Sequence, residues 1–505
     1  MTPMLEFRHN VHMEDRIQVA PRAPGKPPQP TSPPTVALLF GLTLTAVALG
    51  GDTPSTVARI GAIGVGLSLA ASLTLEAGAS RANLLRTDVA MLLALYGLVF
   101  FEFLFPQPAF EQQPGNADDT YFAVQACLLA FGGIAAGRHL LGARQRPWHI
   151  VSDQMPPKAL LILFWGSFAL AYLHMLLAVD FNPVELVKNF MGPRFSQPWQ
   201  RGRYGDWKAL LTEIGAVIYL IPPIAGVVLG RGRVYSGGNR FLACLALIFT
   251  MFYAFSNGTR NIFAVFGVTF AVGYFFGQGR RLTNRVMAVM LISALFIAAN
   301  AYYALQFRRI GLAAYLVNDQ EQTDDGHIVF VDNSLFVIGQ LTRMFPAEHD
   351  FIGMAAPLWL VARPVPRALW PGKPDGSEVE ATLYLNEGPS TTLASTFVGE
   401  SFMAAGVIGV AITALSLGAL SRWWTSRAYT TDSDLGVLIY SSGFFAMVMT
   451  MRSVYQLPVA ILPTLAVITF GLLSQRTARR RQVKIGVIKK VTVGTSRRPS
   501  SGLTQ

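Results

Sequence analysis

Long apolar runs that end in charged residues recur along the whole chain, and this pattern restricts the fold more than any other. Runs of about 17–25 apolar residues are typical of helices that cross a membrane. The composition agrees, because 52% of the residues are hydrophobic and only 14% are charged, whereas soluble domains carry about a quarter charged residues. We therefore predict an all-α, polytopic integral membrane protein with about twelve transmembrane helices, at roughly 36–51, 57–75, 88–105, 121–141, 159–179, 209–229, 240–256, 260–277, 286–305, 396–420, 435–451 and 457–474.

These spans belong to one transmembrane helical domain, residues 35–475, which lies between two tails. Residues 1–34 are polar and end in a proline-rich run, a composition that favours disorder. The first apolar run begins only near Val36, so we expect an uncleaved anchor there and no cleavable signal before it. Residues 476–505 form a basic tail.

Lysine and arginine are concentrated on one side of the predicted spans. With the N-terminus in the cytoplasm, about two thirds of the 41 Lys and Arg fall in the inside segments, Arg86 and Arg138 among them. The acidic residues Glu111, Asp118 and Asp119 fall outside. This distribution predicts that both termini are cytoplasmic, and it explains the net charge of +12 without a nucleic-acid partner.

Several kinds of site are not indicated by the sequence. Cys127 and Cys244 both lie inside predicted spans, so no disulfide framework is implied. The histidines have no metal-ligand spacing, and we find neither a phosphate-binding P-loop nor a dinucleotide fingerprint. We therefore expect no metal, no cofactor and no ATP-driven work by this chain alone.

Two long loops, residues 180–208 and 306–395, lie on the side opposite the basic segments, which we call the outer side. Each is predicted to contain a short amphipathic helix on the membrane surface. One helix follows Asn182-Pro183, and the other presents Leu335, Phe336, Ile338, Leu341, Met344 and Phe345. Long loops that carry structure of their own are usually functional, so we interpret them as a cap.

The stretch R-P-V-P-R-A-L-W-P-G-K-P-D-G-S, residues 363–377, stands out in the second loop and is called the ribbon below. Its prolines favour a rigid, non-helical backbone. That backbone carries three cations, Arg363, Arg367 and Lys373, together with Trp370. Arginine forks bind phosphate through two hydrogen bonds, and lysine adds a point charge. The ribbon therefore predicts a site for an anionic group, with a merely compact, solvated loop as the alternative.

Arg260 is the strongest further candidate for binding an anionic group. It opens span eight, directly after a turn so tight that spans seven and eight must form a helical hairpin. A helix N-terminus disfavours a cation by roughly 0.3–1 kcal/mol, which suggests an anionic partner. The alternative is an arginine whose charge reaches the lipid headgroups. We predict that Arg260, Arg363 and Arg367 converge on one outer pocket.

Three more arginines are weaker candidates on the same side. Arg452 follows span eleven, where the helix dipole favours a cation. Arg201 and Arg203 lie among aromatic residues in the first outer loop, a combination that is common at membrane interfaces. Each of them could contact a pyrophosphate or a glycan.

Glu400 begins or just precedes span ten, in the sequence G-E-S-F-M-A-A-G. Two interpretations stay open. The carboxylate acts as a general base or orients a sugar hydroxyl, or it is a favourable residue at a helix start, where the macrodipole stabilises its charge.

The residues R-P-V-P-R-x-L-W-P-x-K-P, a polar gap and V-G-E-S-F-M-A-A-G-V-I-G-V together resemble the outer-loop signature of bacterial oligosaccharide repeat-unit polymerases, the O-antigen polymerase group. S-N-G-T-R at the head of span eight is similar to a short turn with arginine in that group. The family's aromatic and asparagine after the glutamate are replaced here, since Ser401 to Ala405 read S-F-M-A-A.

The resemblance implies a metal-independent glycosyltransferase of the bacterial inner membrane that acts on its periplasmic face. The donor would be a glycan on undecaprenyl pyrophosphate and the acceptor a single lipid-linked repeat unit, polymerised into O-antigen or exopolysaccharide. It also implies Glu400, Arg363 and Arg367 as catalytic residues, and a chain-length regulator and a flippase as partners in the pathway. The alternatives are an O-antigen ligase, a flippase or exporter of lipid-linked oligosaccharide, and a structural membrane scaffold. A flippase would expose cations along a path through the spans, but here the cations gather on one face.

Overall fold

The computed structural model describes residues 29–113, 115–141, 155–199, 214–258, 260–278, 283–308, 310–317, 333–365, 369–373, 376, 379, 381–385, 394–428 and 433–477. The regular structure of these residues is entirely helical, as the apolar runs predict, and no strand occurs among them. The predicted tails, residues 1–34 and 476–505, lie almost entirely outside this described part.

Seven helices are long and apolar enough to cross a membrane: Pro54–Ala79, Ala117–Gly137, Pro157–Ala178, Gly237–Ser256, Thr396–Ser426, Asp434–Arg452 and Val454–Thr477. Each of them coincides with a predicted span. Five shorter apolar helices coincide with the remaining predicted spans: Ser32–Ala48, Thr87–Val99, Gly215–Gly230, Ile262–Gly277 and Asn284–Ile297. Length and composition therefore support a helical membrane protein, and the count of twelve stays a prediction.

The tight turn after span seven has the predicted form. Helix Gly237–Ser256 ends at Asn257, and helix Arg260–Gly277 begins three residues later. Gly258 has φ +62°, a conformation that a residue without Cβ adopts most easily. The two helices pack against each other as a hairpin.

The two outer loops carry helices, but both are placed differently from our expectation. Helix Pro183–Met191 is capped by Asn182, whose side chain accepts from the Val184 and Glu185 N–H groups. Val184 is exposed, but Leu186 and Phe190 are buried in the protein core. Helix Ser334–Met344 buries its apolar face against helix Ala117–Gly137 and the helix that begins at Thr396. The expectation that it lies on the membrane surface was wrong. Its apolar residues Leu335, Ile338 and Leu341 are fully buried in the protein.

Short helices complete the described part. The outer loop contributes Leu312–Val317, Ala355–Ala362 and Ala381–Tyr384. The others connect longer helices, at Arg81–Leu85, Phe101–Leu104, Pro108–Glu111, Arg194–Ser196 and Val454–Gln456.

Glycines let two apolar helices approach each other closely. Gly226 and Gly230 on helix Ile221–Gly230 face Gly273 and Gly277 on helix Arg260–Gly277. A Cβ atom at Gly273 would lie 2.3 Å from the carbonyl oxygen of Pro223. Small residues four apart are typical of membrane helices whose association depends on backbone contact, because lipid gives them no hydrophobic driving force.

Replacing Gly273 with alanine is therefore expected to destabilise the protein by about 1–3 kcal/mol, because the added methyl group forces the two backbones apart. Thermal unfolding of the detergent-solubilised protein measures this effect. Gly166→Ala is the matched control, since a Cβ atom at Gly166 meets nothing within 4 Å. Equal melting temperatures for the two variants would contradict the close packing.

Four charged side chains are buried together at the end of the bundle opposite the outer loops, and we call them the charge cluster. Arg86 donates to Glu76 at 2.8 Å and to Asp88 at 2.7 Å and 2.9 Å, and Arg138 donates to Asp88 at 3.0 Å. No member is more than 2% exposed. The sequence placed Arg86 and Arg138 in basic loops. The structure instead pairs them with two carboxylates, so the charges of these four side chains balance, and the buried Arg422 interacts electrostatically with Arg86 and Asp88.

Candidate functional site

A kink separates the part of the tenth span that carries Glu400 from the rest of its helix. Helix Thr396–Ala428 is interrupted at Ala405 and Gly406, and Gly406 has φ +60°. The interruption frees backbone carbonyls, and the outer loop uses two of them: the Ile352 N–H donates to Met403 O and the Gly353 N–H to Ala404 O, each at 3.0 Å. The segment 396–404 is thereby joined to the outer cap.

The Glu400 carboxylate is buried and bonded to the next helix along the chain. The Ser453 hydroxyl donates to Oε1 at 2.5 Å, and the Val454 N–H donates to Oε2 at 2.6 Å. The side chain is 7% exposed. The sequence interpretation placed Glu400 at the helix start, but it lies beyond the first turn. The carboxylate contacts Ser453 and Val454, which follow helix Asp434–Arg452. It does not cap the N-terminus of the helix that carries it.

Arg363 lies near this carboxylate. It is the residue directly after helix Ala355–Ala362, and its N–H donates to Trp359 O at 2.8 Å. Electrostatic interactions join the half-buried Arg363 side chain to Glu400 and to the buried Tyr455. The structure thus brings together two of the three residues that the resemblance assigns to catalysis.

Aromatic side chains border the Glu400–Arg363 pair. Tyr455 interacts electrostatically with Tyr384, and the Tyr384 ring packs against His349 and Phe345 with ring centroids 5.1 Å and 5.0 Å apart. Binding sites for small molecules combine aromatic walls with a few converging polar groups, and this border has that character. Sequence reasoning missed these aromatic residues and Ser453. The position of Ser453 directly after the end of a span was the one available signal.

Lys373 is hydrogen-bonded to the beginning of the ribbon. Its Nζ donates to the carbonyls of Arg363 at 2.7 Å and Val365 at 3.0 Å, and it lies 5.0 Å from the centre of the Trp359 ring. Trp359 in turn packs on Gly376, where a Cβ atom would lie 2.3 Å from the ring. Lys373 is thus bonded to the backbone of Arg363, and its direct contact with pyrophosphate stays a prediction.

The remaining predicted site residues differ in what the structure shows of them. Arg452 is the last residue of its helix and directly precedes Ser453, so it lies in the segment that contacts Glu400. Trp370 is partly exposed in the ribbon. Arg260 begins its helix as predicted, and the structure describes its backbone but not its side chain. Arg201, Arg203 and Arg367 lie outside the described residues. Convergence of Arg260, Arg363 and Arg367 therefore stays a prediction.

An apolar surface lies beside this site. Met354, Leu358, Val361 and Leu369 are 65–77% exposed, while Ala356 on the other face of helix Ala355–Ala362 packs against Tyr455. Because helix Asp434–Arg452 ends just before Tyr455, this surface lies level with the outer end of a span. A polar site bordered by exposed apolar side chains at that level suits an amphiphilic ligand.

Within the described residues, no three His, Cys, Asp or Glu side chains come together as metal ligands do. Comparison of the chain with protein-family models, with curated proteins and with solved structures found no match. The resemblance to oligosaccharide repeat-unit polymerases consequently stays a prediction.

Proposed function

We propose that this chain is a membrane glycosyltransferase that polymerises undecaprenyl-pyrophosphate-linked repeat units into O-antigen or exopolysaccharide on the periplasmic face of the bacterial inner membrane. One observation carries the proposal: a buried carboxylate, Glu400, interacts electrostatically with a half-buried arginine, Arg363, near the outer end of the spans. A carboxylate and a cation are the two groups that glycosyl transfer from a pyrophosphate requires.

In the proposed reaction, a hydroxyl of the acceptor repeat unit attacks the anomeric carbon of the donor glycan. The new C–O bond forms as the bond between that carbon and the pyrophosphate oxygen breaks, and undecaprenyl pyrophosphate leaves with the bonding electrons. Glu400 accepts the hydroxyl proton, since each oxygen of a carboxylate can accept more than one hydrogen bond. Arg363 stabilises the charge that develops on the departing pyrophosphate.

The membrane topology in this proposal has twelve spans and cytoplasmic termini. The five shorter apolar helices would cross with the seven longer ones, and both outer loops would face the periplasm. The lipid tails of donor and acceptor would lie against the spans, and the exposed Leu358 and Val361 surface would face them.

Changing Arg363 to lysine is expected to lower the rate of polymer formation by about a hundred- to a thousand-fold, while membrane insertion stays normal. Lysine keeps the charge but loses the planar fork that binds phosphate through two hydrogen bonds. The assay uses purified protein in liposomes with lipid-linked repeat units, and gel electrophoresis resolves the polymer that remains on the lipid carrier.

Arg343→Lys is the matched control, because Arg343 lies in the same outer loop and pairs with Asp119 at 3.6 Å. Polymer of normal length from Arg363→Lys would rule out a geometric role for this arginine. Transfer of preformed polymer to lipid A core, without chain growth, would identify a ligase instead.

A further inference from the structure

The loop between helix Ile221–Gly230 and helix Gly237–Ser256 is rich in cations and lies far from the site described above. It carries Arg231 and Arg233, and Arg240 follows in the first turn of the next helix. Arg231 Nη2 lies 2.6 Å from Asp434 Oδ1. Asp434 begins the helix that ends at Arg452, so about 27 Å of helix separates this loop from the Glu400 site.

The loop brings its arginines close to each other. A Cβ atom at Gly232 would lie 3.1 Å from Arg240 Nη1, so the Arg240 guanidinium lies over the backbone next to Arg231. Among the described residues of this loop and the first turn after it, Arg231, Arg233 and Arg240 are the charged side chains, and Asp434 is paired with Arg231, which leaves an excess of positive charge in this described part.

Three buried donor atoms here have no hydrogen-bond partner in the described part of the chain, Arg231 Nε, Tyr235 Oη and Arg240 Nε, against one such acceptor, Asp434 Oδ1, which already lies at ion-pair distance from Arg231. Tyr235 is 3% exposed and interacts with Arg231 and Asp434. Burial, reinforced by the Asp434 charge, raises the pKa of Tyr235, so its hydroxyl stays protonated and able to donate. Buried polar groups in proteins are almost always bonded, so three such donors at one place point to an acceptor from outside the chain.

We propose that this loop binds the phosphate of an anionic phospholipid headgroup on the membrane face opposite the Glu400 site. Two guanidinium groups and a tyrosine hydroxyl are donors that a phosphate accepts from. Basic pockets between membrane helices are typical sites for anionic headgroups. Phe241, Leu242 and Leu245 are exposed on the adjoining helix and would contact the acyl chains.

The test measures retention of phosphatidylglycerol by the purified full-length protein with native mass spectrometry, and its affinity in nanodiscs against phosphatidylcholine. Arg240→Gln and Tyr235→Phe are each expected to weaken phosphatidylglycerol binding roughly ten- to a hundred-fold, the effect of losing a hydrogen bond to a charged group. Arg285→Gln is the control, because this arginine is exposed at the start of the helix Asn284–Arg308. Arg240→Lys, which keeps the charge, is expected to bind with intermediate affinity and shows that a loss is not caused by misfolding.

Three results would overturn the proposal. Unchanged phosphatidylglycerol binding by both Arg240→Gln and Tyr235→Phe would show that this loop is not the binding site for the headgroup. An equal loss of phosphatidylglycerol binding in Arg285→Gln would show that the net positive charge of the protein, rather than this loop, attracts the lipid. Competition by inorganic phosphate at the concentration at which phosphatidylglycerol binds would identify a site for free phosphate rather than for a lipid.

Discussion

Replacing Glu400 with glutamine is expected to reduce chain growth by about a hundred- to ten-thousand-fold, the usual contribution of a general base. Glutamine removes the charge and the basicity but keeps the shape. Its amide can still accept from the Val454 N–H and donate to the Ser453 hydroxyl, the two partners of the carboxylate. Binding of the lipid-linked donor should therefore change little. Turnover with purified lipid-linked repeat units and equilibrium binding of the donor measure the two effects separately.

The same experiment decides whether Glu400 has only a structural role. If its function is to join the segment 396–404 to the turn at Ser453, then Glu400→Gln, which keeps both hydrogen bonds, should lower stability by no more than about 1 kcal/mol and leave turnover per folded molecule near normal. Glu348→Gln is the control, because it removes an exposed carboxylate from the same outer loop. Near-normal turnover by Glu400→Gln would leave Arg363 without its proposed catalytic partner.

Removing one cation from the charge cluster is expected to cause the largest loss of stability in the chain. In Arg138→Met, three members of the charge cluster remain: the carboxylates Glu76 and Asp88 and one cation, Arg86, which pairs with both. Breaking a buried ion pair in this way typically costs about 3–5 kcal/mol, because both carboxylates lose their ion pair with Arg138 in a medium that solvates charge poorly. Thermal unfolding in detergent and the yield of folded protein measure the loss. Arg81→Met, at an exposed position shortly before the cluster, should leave both unchanged.

A double variant tests whether charge balance is the cause. Adding Glu76→Gln to Arg138→Met leaves one cation and one anion, so the double variant should be more stable than Arg138→Met alone, by about 0.5–3 kcal/mol for side chains in one network. If the second change lowers stability further, then packing around Arg138 rather than its charge holds these helices together.

The sequence predicts the helical elements well because their causes are local. Apolar length locates the spans, the Asn182-Pro183 pair begins a capped helix, and Gly258 marks the hairpin turn. Each of these signals depends on residues that lie within a few positions of one another.

The relations between distant segments could not be predicted in the same way. Glu400 is bonded to Ser453, 53 residues away, and nothing near Glu400 indicates that partner. Arg86 and Arg138 look like ordinary loop cations, since their burial depends on Glu76 and Asp88 reaching the same place in space. Helix Ser334–Met344 has the apolar face of a surface helix, and only the packed bundle shows that protein rather than lipid covers that face.

The kink at Gly406 has a consequence for which substitutions the outer site tolerates. The loop at Ile352 and Gly353 recognises the carbonyls of Met403 and Ala404, and a backbone hydrogen bond is the same whatever side chain a residue carries. These two hydrogen bonds do not themselves depend on the side chains at 352, 403 and 404, apart from proline at 352, which has no N–H to donate, so packing, above all of the fully buried Met403, sets the limit there. Gly353 and Gly406 are restricted in addition, because φ +60° is strained for other residues, and a Cβ atom at Gly406 would lie 2.9 Å from the Phe351 ring. Variation in the outer loop can thus change what surrounds the carboxylate without removing these two backbone hydrogen bonds.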